Sequence, residues 1–378
     1  MLVATSVATD SRVLREAGTL VAAGHEVHII GKSVPTDFVP PPGITISSVG
    51  SSSIFGGQVA RSKSSRRPVP YLRFARWFLL PTHRNSAFGR WASGALADGC
   101  NRAYDVVHAH DFTALRTGAE LARRNGVPLV YDSHELWSGR VRMHRPTPVQ
   151  AWREGREEAL LGAEAAAVIT VGDGVADALR RRYGWTHLVV IRNSFPPSEG
   201  DPPAVPLGAV YAGRLAPHRE LETIAQASRE LPIPVTLIGP ADETWLAGYD
   251  AGKAVVQAPI SSDAVTTLLQ QAGVALVTIS DGSANQRLAM PNKIFQAVAA
   301  GVPVVATDVG ELASLVRQHQ LGTLYRMGDA SDLVRAMQEL ISDYELWCGR
   351  VAKVQEALSW DADATRLTDL YGRMAAER

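Results

Sequence analysis

Short apolar runs alternate with amphipathic segments along this chain. In the first half the runs are LVATS (2–6), HEVHIIG (25–31), DVVHAHD (105–111), PLVYDSH (128–134), AAVITV (166–171) and LVVIRN (188–193). Brief, near-continuous apolar runs mark strands buried on both faces of a parallel sheet. Between the first two, Val13, Ala17, Leu20, Val21 and Gly24 recur at helical spacing, which predicts a helix with Asp10 as its N-cap. NSFPPSEGDPPAVP (193–206) is dense in proline, which removes backbone donors and disfavours helix, so it reads as an interdomain linker. The alternation then restarts with GAVYAGR (208–214), PVTLIG (234–239), AVVQAP (254–259), VALVTI (274–279), PVVATD (303–308) and GTLYR (322–326). The pattern predicts an α/β protein: two Rossmann-like, doubly wound domains facing across a cleft. Ligands of such sheets sit beyond the carboxyl ends of the strands, so the residues just after each strand are the candidates.

Residues 50–100 break this rhythm. RSKSSRRPVP is basic, and YLRFARWFLLPTHR sets aromatic and aliphatic residues beside arginines. The favoured reading is a core-packing helix with snorkelling arginines; the sharper one is a peripheral membrane contact through residues 61–80. A chain of 378 residues exceeds one ordinary core, and 46% hydrophobic with 20% charged residues is globular in type. Lys+Arg and Asp+Glu are equal at 38 each, which argues against a nucleic-acid binder working by bulk charge. Cys100 and Cys348 form no paired motif, so a reducing compartment is expected. The chain opens on strand-like residues rather than a signal peptide, and no apolar run reaches the ~20 residues that span a bilayer. The expected location is cytoplasmic, with the inner face of a membrane as the variant.

Candidate chemistry concentrates at strand and helix ends. In LAMPNKIFQAVAAGVPVVATD (288–308), Pro291 suits the first turn of a helix. The free amides of Asn292 and Lys293 then mark a phosphate-binding N-terminus, and Lys293 adds a full charge. Gln296 lies one turn further, within reach of a neighbouring hydroxyl. A plain structural helix with a solvated lysine is the competing reading, and this segment alone does not separate the two. In GRLAPHRELE (213–222), Gly213-Arg214 closes a strand and Arg219 begins the following helix. Two arginines there can clamp a diphosphate and neutralise charge building on it. A solvated surface role is not expected for Arg214, because a strand end in a cleft is poorly solvated. In the first half, His108 and His110 share one strand face and His134-Glu135 end the next strand, so adjacent parallel strands bring them to one rim. A strand HxH also suits zinc, which keeps a zinc hydrolase as a rival. TSVATDSR carries no glycine, against a dinucleotide fold. The DAD at 361–363 falls at a helix start, where i and i+2 side chains diverge, and is set aside.

Together the chain resembles a retaining glycosyltransferase of the GT-B fold, family 4. The similarity runs through TDSRVLREAGTLVAAGHEVHII, DVVHAHD, LVYDSHELW, AAAVITVGDGVADALRRRYG, VVIRN, GRL with REL, MPNKIFQAVAAGVPVVATD, and Trp360 with Leu370-Tyr371. The resemblance implies an acceptor-binding domain over 1–195, a nucleotide-sugar domain over 207–358, and a terminal segment 359–378 whose helix crosses back to the first. It implies donor contacts from Gly213, Arg214, Arg219, Pro291, Asn292, Lys293 and Gln296, and acceptor contacts from His110, Asp111, His134 and Glu135. His134, Arg214 and Arg219 are the implied catalytic residues, with Arg219 standing where the family has a lysine. The implied partners are a nucleotide-diphosphate sugar and a hydroxyl-bearing natural product, glycan or lipid; neither a cofactor nor a metal is implied. The family's two glutamates, separated by seven residues, fall on Leu288 and Gln296, so one is lost and the other uncharged. That departure keeps a non-catalytic protein as an alternative, beside a hydrolysing nucleotide-sugar epimerase of the same fold. Rich use of Ala, Arg and Val suggests a high-GC bacterium.

Overall fold

The computed structural model describes residues 1–50, 89–140 and 147–376. The reading of residues 61–80 lies outside the described residues. Each apolar run forms a parallel strand, and the two sets build two sheets. The first holds β1 (Leu2–Val3), β2 (Val27–Lys32), β3 (Ile44–Val49), β4 (Val107–His110), β5 (Leu129–Ser133), β6 (Ala167–Thr170) and β7 (Leu188–Val190), in the order β3-β2-β1-β4-β5-β6-β7. Its helices are α1 (Ser11–Ala22), α2 (89–100), α3 (Asp111–Asn125), α4 (Pro148–Ala163) and α5 (Asp173–Tyr183). The Asp10 carboxylate caps α1 by accepting from the Val13 amide, and Val13, Ala17 and Leu20 are buried beneath it. Strand β3 was not predicted. ITISSV is half hydroxyl residues and lies on the sheet edge, where one side meets water and no continuous apolar run is needed.

The second sheet holds β8 (Gly208–Ala212), β9 (Val235–Ile238), β10 (Val255–Gln257), β11 (Gly273–Val277), β12 (Val304–Thr307) and β13 (Gly322–Tyr325), in the order β10-β9-β8-β11-β12-β13. Around it pack α6 (Leu221–Ala227), α7 (Glu243–Leu246), α8 (Ser262–Ala272), α9 (Ala284–Leu288), α10 (Asn292–Ala299), α11 (Gly310–His319), α12 (Ala330–Ser342) and α13 (Tyr344–Gln355). Strand order reverses at β1 in one sheet and at β8 in the other, which opens a crevice at each carboxyl edge. Neither helix nor strand forms between β7 and β8. The proline cluster there leaves the backbone without the donors either would need.

The last helix, α14 (Trp360–Ala376), returns to the first sheet. Leu367, Leu370, Tyr371 and Met374 join the apolar cluster that holds Val13, Ala17 and Leu20 of α1. Fully burying an aliphatic side chain is worth about 1.5–3 kcal/mol, so this seam anchors the chain end firmly. Trp360 Nε1 donates to Thr19 Oγ1 at 3.0 Å. Asp363 is buried and accepts from Arg192 (3.1 Å), Arg366 (2.7 Å) and the Ser194 hydroxyl, fastening α14 to the segment after β7. The DAD is therefore half structural: Asp363 is an internal counter-charge, while Asp361 is exposed. Among the described residues no helix is long and apolar enough to cross a membrane.

Asp363→Ala should destabilise the fold by about 2–4 kcal/mol, because Arg192 is left without its buried counter-charge. Urea unfolding of the two proteins measures this.

Candidate active site

The two carboxyl edges face each other across a cavity of about 470 Å³. On the second-sheet side, β8 ends at Ala212 and Gly213 continues, donating its amide to Ile238 O at 2.8 Å. A Cβ on Gly213 would overlap the Lys293 side chain, so glycine makes room for that lysine. The loop that follows is strained and pinned. His218 and Glu220 have φ of 62° and 60°, the left-handed region that side chains rarely adopt. Ser280 Oγ donates to His218 O (2.6 Å), Thr278 Oγ1 to Arg219 O (2.9 Å), and Glu220 accepts from the Gly328 amide (2.7 Å). Arg219 thus sits on a braced loop before α6, not at its first residue. Arg214 and Arg219 both line the cavity, and both are exposed. The expected poor solvation of Arg214 does not hold, because the cavity is open to water.

Pro291 is the N-cap of α10 rather than its first helical residue, and the amides of Asn292 and Lys293 have no hydrogen-bond partner. Pro291, Asn292 and Lys293 line the same cavity as the arginines. Lys293 Nζ lies 3.1 Å from the Tyr211 hydroxyl and 4.3 Å above the Tyr211 ring. Burial, and then the charge of Arg219, bring its pKa down to about 7. Among the described residues no carboxylate pairs with Arg214, Arg219 or Lys293. Gln296 does not line the cavity. Its amide donates to Thr266 Oγ1 (3.1 Å) and to Ser262 O (2.9 Å), contacts within the fold. Leu288 packs against the apolar core of the first sheet.

On the other side, β4 pairs with β5 so that His110 stands beside Asp132. His134 follows β5 and lines the cavity with Glu135. His134 Nε2 lies 2.9 Å from Asp132 Oδ2, and its Nδ1 lies 3.5 Å from Asp111 Oδ2. Burial works against charge on this ring, but Asp132 and then Asp111 outweigh it and push the pKa up to about 9. His110 is buried behind His134 and contacts Asp132 at 3.1 Å. Asp111 opens α3 with φ 63°. His108 is not on the rim: its Nδ1 meets the Tyr371 hydroxyl of α14 at 2.9 Å, and its ring stacks on His110 at 4.2 Å.

Beneath these groups lies the buried side chain of Arg12. It grips Asp132 with Nε (2.9 Å) and a terminal nitrogen (3.0 Å), and Glu16 also lies 3.0 Å from Nε. Glu16, His108, His110 and Asp132 bring ligand-type atoms within 4.8 Å of one another. A zinc ion there would meet the Arg12 guanidinium already bound to both carboxylates, so the set fits a metal poorly. Arg12, Glu16, Asp132 and Asn285 were missed as site residues. Three of them left a signal: Arg12 and Glu16 sit four apart beside the apolar face of α1, and Asp132 interrupts an all-buried strand. Asn285 left none. Its side chain donates to Glu135 (2.6 Å) and accepts from the Leu136 amide (3.1 Å), tying the second half of the chain to the loop after β5.

Comparison with known proteins gives the sequence a family. Glycosyltransferase Family 4 matches residues 11–199, and Glycosyl transferases group 1 matches residues 207–343. The chain belongs to glycosyltransferase family 4. D-inositol 3-phosphate glycosyltransferase of Rhodococcus erythropolis is 25% identical over 305 residues, covering 72% of this chain and 68% of that one. Glycogen synthase of Mycobacterium tuberculosis is 25% identical over 303 residues, covering 72% and 69%. Among solved structures, sucrose-phosphate synthase of Thermosynechococcus elongatus aligns with a TM-score of 0.73 at 18% identity, covering 100% and 99%. Anabaena HepE in complex with UDP and glucose aligns with a TM-score of 0.67 at 15% identity, over the same shares. The fold is GT-B, and the protein is a glycosyltransferase that moves sugar from a nucleotide sugar to an acceptor.

Within this family 4 enzyme the two halves of the cavity carry opposite electrostatics. Among the described residues Arg214, Arg219 and Lys293 lack carboxylate partners, while Asp132 on the opposite side is paired with Arg12 and His134. The raised pKa of His134 stabilises the fold fully below about 6.5, the unfolded value, and this contribution is lost as pH rises through about 9. The stability difference between wild type and His134→Gln should therefore shrink from pH 6 to pH 10, by about 3 kcal/mol. Denaturant titrations across that range check it; a difference independent of pH contradicts it.

Proposed function

We propose that this enzyme transfers the sugar to a hydroxyl with retention of anomeric configuration and without a metal ion. The observation that carries the reading is the convergence of Arg214, Arg219 and Lys293, none with a carboxylate partner, on a cavity that also receives the unpaired amides starting α10. Three cations lining one cavity with free helix-start amides suit a pyrophosphate, whose oxygens accept hydrogen bonds. As the bond from anomeric carbon to phosphate oxygen lengthens, charge grows on the leaving diphosphate, and these groups stabilise it more than they stabilise the intact donor. The leaving oxygen takes the acceptor's proton as the new glycosidic bond forms on the same face of the sugar. The cations supply the charge a divalent ion would otherwise bring.

His134, flanked by two carboxylates, is poised to donate rather than to accept a proton, so it suits an oxygen of donor or acceptor better than activation of water. This supports transfer over the hydrolysing epimerase. His110 and Asp111 hold the acceptor edge from behind His134, and Glu135 reaches the cavity from the same loop. Gln296 lies one turn into α10 but is buried and does not line the cavity, so the proposed donor contacts are those of Arg214, Arg219, Pro291, Asn292 and Lys293. HepE was solved with UDP and glucose, so UDP-glucose is the first donor to test. Both cysteines are free, which supports a reducing, cytoplasmic setting.

Arg214→Ala, Arg219→Ala and Lys293→Ala should each lower turnover by about 10²–10³-fold in a folded protein. Unchanged turnover removes that residue from the site. Burial and the Arg219 charge bring the Lys293 pKa down to about 7 in the free enzyme, and a bound diphosphate must raise it. Binding then takes up a proton, so UDP affinity should fall as pH climbs from 7 to 9. Calorimetry in buffers of different ionisation enthalpy reads both the trend and the proton count.

A further inference from the structure

We infer that Asp132, held by the two-point grip of Arg12, is the positioning residue of the acceptor side: it fixes His134 as an imidazolium with one N–H locked and the other presented to the cavity. This rests on the glycosyl-transfer reading above and gives a part in that site to Asp132, which does not itself line the cavity.

The geometry is asymmetric. Asp132 is fully buried and takes His134 Nε2 at 2.9 Å, a true hydrogen bond. Asp111 approaches Nδ1 only to 3.5 Å, which leaves that N–H loosely engaged, and His134 lines the cavity. With a carboxylate near each nitrogen, both nitrogens act as donors and the ring is cationic. Asp132 itself cannot turn, because its two oxygens are both held by Arg12, at 2.9 and 3.0 Å. Arg12 in turn donates to Ile191 O at 2.9 Å and is closed off by Glu16. The fork geometry matters here, since a lysine would hold one oxygen and let the carboxylate pivot.

Other charges face the same ring. His110 from β4 shares Asp132 and lies 3.4 Å from His134 Nε2. Glu135 belongs to the same loop, where Arg140 (3.0 Å) and Asn285 already engage it. From the second half, Arg214, Arg219 and Lys293 share the cavity and oppose a further cation. Burial and the nearby charge of Arg12 also oppose charge on the ring, and Asp132 and then Asp111 outweigh them. A ring held this way offers one directed N–H and a fixed positive charge to a substrate oxygen. It is unable to act as a general base until Asp132 releases it.

The test follows the His134 ring by proton NMR, with His134→Gln to assign its resonance, and compares Asp132→Asn with wild type. The expected result is a fall in the titration midpoint by about 1–2 pH units. Turnover, read as nucleoside diphosphate released from UDP-glucose or from whichever nucleotide sugar gives the largest thermal shift, should fall 10–100-fold. UDP affinity should stay within threefold, because the diphosphate cradle is untouched. Arg12→Lys should reproduce the turnover loss in part. An unmoved midpoint in Asp132→Asn, or a moved midpoint with unchanged turnover, overturns the inference. If the buried variants fail to fold, the wild-type ring decides: a His134 midpoint well above the ordinary value of about 6.5 is expected, and one at or below it overturns the inference. If wild type binds no nucleotide diphosphate at all, the proposed function fails while the midpoint shift still decides how the ring is held.

Discussion

Uncompensated positive charge is the constraint on which this site depends. Arg214 and Arg219 stand in an open cavity with no carboxylate partner, and Lys293 is drawn under a tyrosine ring at the start of α10. Burial, and then the charge of Arg219, lower the pKa of Lys293, so the protein meets the cost of this cation by loosening its proton. Only an anion relieves it. The free amides of α10 add partial charge of the same sign, so this half of the cavity favours an anion, and the proposed occupant is a diphosphate.

The first sheet solves the opposite problem. It buries Asp132 and Glu16, and each carboxylate is compensated within the fold by Arg12 or a histidine. That network reaches from α1 through β4 and β5 to the cavity, and through His108 to Tyr371 of α14. The returning helix therefore closes both the apolar core and the polar layer beneath the site. Across the cleft, Asn285 fastens the loop after β5 to the second half of the chain, so the cations and the His134 side are set against each other by named hydrogen bonds.

Much of this was legible in the residue pattern because burial on both faces of a parallel sheet writes itself as short apolar runs. β3 escaped because an edge strand needs no such run, and ITISSV spends half its length on hydroxyl groups. Arg214, Lys293 and His134 were legible because glycine turns and helix starts announce strand ends. Backbone detail was not. Whether Arg219 begins α6 or precedes it turns on the left-handed φ of Glu220, which no residue preference foretells. The solvation of Arg214 turns on how open the cavity is, a property of two domains together. Arg12 was not singled out, because its partners Asp132 and Ile191 lie 120 and 179 residues away.

Affinity for UDP against UMP measures the central claim most directly, because the two differ by the one phosphate that the cationic cradle is built to hold. Calorimetry at pH 7 should show UDP binding at least about 100-fold more tightly, close to 3 kcal/mol. Affinities within about threefold of each other, less than 1 kcal/mol, would contradict the account.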